Sequence, residues 1–458
     1  MITQFMTDQN VFGSEFTGVS WNAWKALLSG FYGETCTDIE MFFALTQRPP
    51  AAPYSELWLV IGRRGGKSNA AALIAVYEAF LKDHRDKLAP GEMATVMVVA
   101  ADRRQARTIF RYIKGLIHAS PMLSKMVANE KDTSIELTNR CVIEIGTANN
   151  RALRGYTISC AILDEIAFWN ADGMSPDAEI VRGIRPALAT LGGPLIALSS
   201  PYARRGVLWN TYKKHFAGDG KVLVAQASSQ TMNPTLSQEY IDDAYKEDSA
   251  GAAAEFGAKF RKDIEGFISI ERVESCVVSG IAERFPIQGR QYYGFVDPSG
   301  GSKDAFTLAI AHKENGKVII DCIREVRPPF SPESVVYEFA ETLKRYGVNR
   351  ISGDRYAGEW PREQFRKCGI SYDPSSQPKS SLYLNLLPVL NSRQVMLLDH
   401  EKLLNQLVSL ERRTSRVGRD IIDHPPNGYD DLANAVAGAV SLLTSVVQHQ
   451  AGRFALRI

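Results

Sequence analysis

The sequence predicts an α/β protein built on two successive open sheets, the first mostly parallel and the second mixed. Three observations predict it. Between residues 56 and 200 the apolar runs ELWLVI, ATVMVVAA, CVIEIGT, CAILDE and GPLIALSS alternate with helical patterns such as AAALIAVYEAFLKDH and RQARTIFRYIKGLIHA. Uninterrupted apolar strands joined by helices indicate a sheet covered on both faces. After residue 290, three strand-like runs follow one another in QYYGFVDPSGGSKDAFTLAIAHKENGKVIIDCIREV through a Gly/Ser-rich turn and an Asn-Gly turn at 315–316, the pattern of an antiparallel meander. A chain of 458 residues also exceeds what one core fills, so it divides into domains.

Composition bounds the function. Hydrophobic residues make up 45% and charged residues 23%, ordinary for a globular chain. The net charge is only +2, so any nucleic-acid surface must come from local basic clusters. The six cysteines are dispersed, with no CxxC pair and no histidine at ligand spacing, which reads as a reduced, cytosolic protein. MITQFMTDQN lacks the basic and apolar regions of a signal peptide. LANAVAGAVSLLTSVV at 432–447 carries Asn434 and Ser441 and reads as a buried helix, not a membrane span.

The first strand, LWLVI, leads into IGRRGGKSN at 61–69. The common phosphate-loop pattern G-x-x-x-x-G-K-[ST] needs a glycine where Ile61 stands, and the nearest glycine is Gly62. The physical requirements are nevertheless met: a buried strand, glycines that let backbone N–H groups crowd an anion, a lysine, and a hydroxyl opening a helix. Gly62, Arg64, Gly65 and Gly66 would line the nucleotide, Lys67 would reach the β/γ-phosphates, and Ser68 would hold Mg²⁺. CAILDEIAFW ends its strand in Asp164 and Glu165, an acid for the water shell of Mg²⁺ and a glutamate to orient an attacking water. The strand GPLIALSS closes on Ser199, Ser200 and Pro201, a third element beside the γ-phosphate. Upstream, FTGVSWNAWKALL sets Trp21 and Trp24 at helical spacing, a pattern that is more often core.

Residues 205–262 turn polar and helix-rich, and GFISIERVES reads as a connector. In the second half, Asp297 closes the strand of GFVDPSGG, and Asp354 closes VNRISGD after the helical run SPESVVYEFAETLKRYG. Strand-strand-strand-helix-strand is the order of a ribonuclease-H-like domain, which brings those two carboxylates together. HPPNGYDDLANAVAGA adds Asp430 and Asp431 at the start of a helix whose small residues, Ala433, Ala435, Ala437 and Gly438, allow close packing on a sheet. Helix capping alone would also explain acids there. Such a cluster can hold two divalent ions about 4 Å apart for phosphodiester hydrolysis. Asp304 and His424 would stand behind the ligands or simply on the surface, and Arg412, Arg413, Arg416 and Arg419 in LERRTSRVGRD suggest a hairpin on a DNA backbone, with a solvated basic loop as the bland reading.

The loop G-R-R-G-G-K-S resembles the deviant phosphate loop of the large terminase subunits of tailed bacteriophages, which are genome-packaging motors. The order of deviant loop, acidic strand tip, S-S-P strand, D-P, G-D and D-D-L-A resembles that family over roughly residues 15 to 445. The resemblance implies an ASCE-type P-loop ATPase at 1–204, a helical lid at 205–265, a connector at 266–290, a ribonuclease-H-like nuclease at 291–445 and a flexible tail at 446–458. It implies that Arg63 stabilises or senses charge at the γ-phosphate, and it makes Trp21, Asn22 and Trp24 candidates for adenine contact. In RALRGYT it makes Arg154 the candidate finger for a neighbouring subunit's site, against a surface ion pair as the bland reading. It implies ATP and Mg²⁺ as cofactors, with Mg²⁺ or Mn²⁺ at the nuclease site, metal ligation by Asp297, Asp354, Asp430 and Asp431 with Asp431 favoured as the direct ligand, and cutting of concatemeric double-stranded DNA. The implied partners are a small terminase subunit, the portal protein of a procapsid and sister subunits in a ring of five. The implied location is the host cytoplasm, with passing residence at the portal and none in the mature virion. The alternatives are a repair or restriction ATP-dependent nuclease, for which 205–290 is too short to hold a second motor domain, and an ATPase with a non-catalytic DNA-binding module.

Overall fold

The first sheet forms where the sequence is most continuously apolar. In the computed structural model, which describes residues 1–13, 15–148, 155–169, 176–302, 304–354, 359–414, 420–426 and 428–454, its strands are β1 (Glu56–Ile61), β2 (Ala94–Ala100), β3 (Val127–Glu130), β4 (Ser134–Leu137), β5 (Cys141–Thr147), β6 (Thr157–Asp164), β7 (Leu195–Ser199) and β8 (Val222–Ala227). Their order is β3-β4-β5-β2-β6-β7-β1-β8. The six strands from β5 to β8 run parallel, and β3 and β4 add an antiparallel edge. Strand β7 lies between β1 and β6, so the loop strand and the acidic strand have one strand between them. Alternate residues of β1 serve different cores: Leu57, Leu59 and Ile61 on one face, Trp58 and Val60 on the other.

The stretch 205–262 is not purely helical. Within it, β8 pairs parallel with β1 along its whole length. Its apolar run VLVAQA is short and sits among charged helices, which hides a strand from periodicity alone. Helix α1 (Asn22–Phe31) packs in the core with α2 (Lys67–Leu81), which follows the loop.

The chain divides into two compact units after Asp263. The second contains β9 (Ile264–Gly266), β10 (Val277–Val278), β11 (Tyr292–Asp297), β12 (Phe306–Glu314), β13 (Lys317–Val326), β14 (Arg350–Gly353), β15 (Ser371–Pro374), β16 (Val395–Leu398), β17 (Glu411–Thr414) and β18 (Asp420–Asp423). Its main sheet has the order β10-β16-β13-β12-β11-β14-β15. Strands β11, β12 and β13 form the expected antiparallel meander, and β14 joins β11 in parallel. The core order β13-β12-β11-β14-β15 is ribonuclease-H-like. Helices α3 (Pro332–Arg345), α4 (Lys379–Asn391), α5 (Glu401–Ser409) and α6 (Asp431–Phe454) surround it, with α3 in one face's core and α4 and α6 in the other's. No helix among the described residues is long and apolar enough to cross a membrane.

Candidate functional site

Parallel strands end on a common edge, and in the first sheet that edge gathers the loop after β1, the acids of β6 and the serines of β7. The loop turns through Arg64 and Gly66, at φ 66° and 86°, a left-handed backbone that favours glycine at the second. At Gly62 a side chain would collide with Ser229 Oγ and the Phe256 carbonyl, so the glycine shifted by one position is required by the chain packed behind it. From below, Trp24 Nε1 donates to the Gly65 carbonyl at 3.1 Å. Lys67 is buried; its Nζ donates to the carbonyls of Ile61 at 3.0 Å and Gly62 at 3.3 Å and to Ser200 Oγ at 2.9 Å. Ser68, next on α2, is half-buried.

Glu165 stands 3.6 Å from Lys67 Nζ. Its backbone is left-handed at φ 50°, which turns the carboxylate back along the sheet edge, where Ser199 Oγ donates to it at 2.9 Å and the Ser200 N–H at 3.1 Å. Asp164 is buried, and its Oδ1 has no hydrogen-bond partner among the described residues. Burial, then the charge of Glu165, raises its pKa to about 7. An orphaned buried carboxylate beside a glycine cradle and a lysine fits a magnesium–nucleotide site.

The second site rests on strand register. Val296 of β11 pairs with Gly353 of β14, so Asp297 and Asp354 are the next residues on adjacent parallel strands. Asn434 of α6 spans them: its Nδ2 donates to Asp297 Oδ2 at 2.7 Å and reaches Asp354 Oδ2 at 3.5 Å. Asp431 is one turn earlier on the helix, and Thr307 Oγ1, opposite Asp297 on β12, donates to its carbonyl at 2.8 Å. Burial, then Asp431, Asp354 and Asp430, push Asp297 well above the usual carboxylate range, opposed by Asn434. Burial, then Asp430, raises Asp431 to about 6. Groups of like charge that resist ionisation together are groups a divalent cation would stabilise.

Asp430 faces elsewhere. It is buried and receives Lys379 Nζ at 2.9 Å and the Tyr383 hydroxyl at 2.7 Å. Asp423, His424 and Asp430 bring ligand atoms within 4.8 Å of one another, but the Lys379 ammonium also contacts Asp423 at 2.9 Å and so supplies the positive charge there.

A family model described as the terminase large subunit, ATPase domain, matches residues 47–189. This segment is therefore similar to a terminase ATPase domain. No curated protein matches the chain. Among solved structures, the chain is similar to the large terminase of bacteriophage HK97 at 17% identity, over 88% of this chain and 93% of that one, with a TM-score of 0.37. It is similar to the large terminase of a thermophilic bacteriophage at 10% identity, over 92% and 98%, with a TM-score of 0.39. The large terminase nuclease of a further thermophilic phage, G20c, aligns with 38% of this chain and 96% of its own length at 17% identity, with a TM-score of 0.34. Likeness of this degree transfers no activity.

Within the matched segment and the strand after it, the structure brings Lys67, Glu165, Ser199 and Ser200 together. Arg63 extends outward, with its side chain 65% exposed, to pair with Glu255 at 3.1 Å. Arg64 is exposed and its carbonyl accepts from Asn233 Nδ2 at 3.2 Å. Arg154 lies outside the described residues. Trp24 is buried beneath the loop, Trp21 packs edge-on against Phe16, and Asn22 is exposed. In the second unit, Arg412 pairs with Asp420 and Arg413 with Glu411, while Arg416 and Arg419 lie outside the described residues. Sequence reading missed Asn434, Lys379 and Tyr383. An asparagine at i+3 from Asp431 was the available signal for the first. Nothing in the sequence marks Lys379 or Tyr383, whose partners are about fifty residues away.

Proposed function

We propose that this chain is the motor of viral genome packaging: ATP hydrolysis in the first unit drives double-stranded DNA into a procapsid, and the second unit cuts concatemeric DNA as a metal-dependent endonuclease. The observation that carries the reading is the meeting of Asp297 and Asp354 at adjacent strand ends, on a chain whose first unit carries a terminase ATPase domain. A motor alone would not need that acidic convergence.

In the motor, Gly62, Arg64, Gly65 and Gly66 wrap the phosphates with backbone N–H groups, and Lys67 exchanges its loop carbonyls for phosphate oxygens. Ser68 and Asp164 would hold Mg²⁺, which when bound would supply neutralisation of phosphate charge. Glu165 orients the attacking water. Its bonds to Ser199 and Ser200 tie that role to the neighbouring strand. Arg63 leaves an exposed ion pair to reach the γ-phosphate, and Arg154 serves as the finger into a neighbour's site. In the nuclease, Asp297, Asp354 and Asp431 would hold the divalent ions, Mg²⁺ or Mn²⁺, with Asp430 behind Asp431; such ions, when bound, would supply activation of water and charge for the leaving oxygen. The chain's own contribution is to converge the acids and hold the phosphodiester between them and the β17–β18 hairpin.

The motor assembles as a ring, of five by family likeness, on the portal of a procapsid in the host cytoplasm, brought to viral DNA by a small terminase subunit. The test is ATP hydrolysis and plasmid cleavage, with Mg²⁺ or Mn²⁺, for wild type, Asp297→Ala and Glu165→Ala. The reading expects Asp297→Ala to lose only cutting and Glu165→Ala to lose mainly ATP hydrolysis. Wild-type protein that hydrolyses ATP but cuts DNA with neither ion would reduce the second unit to a binding module.

A further inference from the structure

Two carboxylates at neighbouring strand ends repel, and something must hold them together before any cation arrives. Asn434 is the group placed to do so. Its Nδ2 lies 2.7 Å from Asp297 Oδ2 and 3.5 Å from Asp354 Oδ2. The side chain is almost wholly buried, at 1% exposure, and its Oδ1 has no partner among the described residues. A buried amide carbonyl without a partner is costly, and this one lies in the acidic cluster, where metal-bound water would supply a donor.

The placement is built into the packing. A side chain at Gly438 would overlap the Phe295 ring, so α6 touches β11 at that point. From Gly438 back to Asn434 is one helical turn, about 6 Å. From Phe295 to Asp297 is two strand residues on one face, about 6.6 Å. The two steps match, so close contact at Gly438 sets Asn434 over Asp297. Asp431 lies nearly one turn further toward the sheet edge. The helix start is held as well: Gln406 Oε1 accepts from the Ala433 N–H at 3.1 Å.

We propose that Asn434 is the positioning residue of the metal site, a neutral donor that converges Asp297 and Asp354 for an incoming divalent cation and offers Oδ1 to the cation's water. The inference rests on the nuclease reading. It assigns the residue a part that a carboxylate could not play, because a third charge at that point would oppose convergence. It also separates Asn434 from a core amide that only satisfies its own hydrogen bonds, since such a residue has no effect on metal affinity.

The experiment is calorimetric titration of the nucleotide-free full chain with Mn²⁺ and with Mg²⁺, for wild type, Asp297→Ala, Asn434→Ala and Asn434→Asp, each checked for folding by its unfolding transition. Asn434→Ala should lose about 10- to 100-fold in metal affinity, as loss of a group that orients ligands does elsewhere, and raised metal should restore cleavage. Asn434→Asp should gain more in melting temperature from Mg²⁺ than wild type does, because the cation relieves an added repulsion. If Asn434→Ala binds metal as tightly as wild type while Asp297→Ala does not, the inference fails and the nuclease reading survives. If wild type binds no more metal than Asp297→Ala, both fall.

Discussion

Gly438 of α6 meets the aromatic ring of Phe295 in β11 so closely that no side chain fits between them. That one contact sets the height of the helix above the sheet, and with it the approach of Asn434 and Asp431 to Asp297. Replacing Gly438 with alanine should destabilise the second unit by about 2–3 kcal/mol through overpacking and reduce metal-dependent cleavage. Denaturant unfolding and cleavage rates check this. Phe295→Leu introduced beside Gly438→Ala should recover part of both losses.

Under the phosphate loop, Trp24→Phe removes the N–H donated to the Gly65 carbonyl together with part of the buried indole. The carbonyl is then left buried without that partner, at a cost of about 1 kcal/mol or more. The loop should hold its phosphate-binding form less well. ATP hydrolysis by Trp24→Phe should show a KM raised about fivefold or more with kcat changed far less. An unchanged KM would mean that the loop holds its shape without the tryptophan.

Glu78, in the helix that follows the loop, predicts a pH dependence. It is buried, accepts from the Tyr32 hydroxyl at 2.7 Å, and burial raises its pKa to about 7. The folded state therefore binds its proton more tightly than the unfolded state. The resulting stabilisation is full below the unfolded value near 4.5 and is lost as pH rises through about 7, a change on the order of 3 kcal/mol. Urea unfolding between pH 5 and 8 should show this decline in wild type and a flatter profile in Glu78→Gln.

Lys379 holds Asp430 and Asp423 together. Lys379→Met leaves the buried Asp430 with Tyr383 as its remaining side-chain hydrogen-bond partner among the described residues and should cost about 2–4 kcal/mol. Adding Asp430→Asn to Lys379→Met should return most of that stability, because the uncompensated charge goes with it. A double variant no more stable than Lys379→Met alone would show that the lysine acts by packing.

How much of this was legible in the sequence depended on distance along the chain. LWLVIGRRGGKS announces its loop because strand, glycines, lysine and hydroxyl are contiguous, and CAILDE announces its acids because a strand end is a local feature. The strand β8 was not legible, since VLVAQA is too short to show a period and becomes a strand only through the free edge of β1. Trp24 is a tryptophan at helical spacing, a pattern that is more often core but could also have faced a base. Its place under Gly65 follows from how α1 packs, which no nearby residue encodes.

The sequence by itself determined the order of chemistry: a phosphate loop, an acidic strand tip, a serine strand, then three acidic stations on a mixed sheet. Contiguous patterns of apolar residues, glycines and acids carry that information, because strand and turn formation respond to near neighbours. Only the tertiary structure decided which groups meet. It bound Glu165 to Ser199 and Ser200, gave Asp430 to Lys379 and Tyr383, and laid Asn434 between Asp297 and Asp354. Those meetings depend on strand register and on the depth to which a helix settles on a sheet, and a glycine such as Gly438 reveals its part in that depth only when the residue opposite it is known.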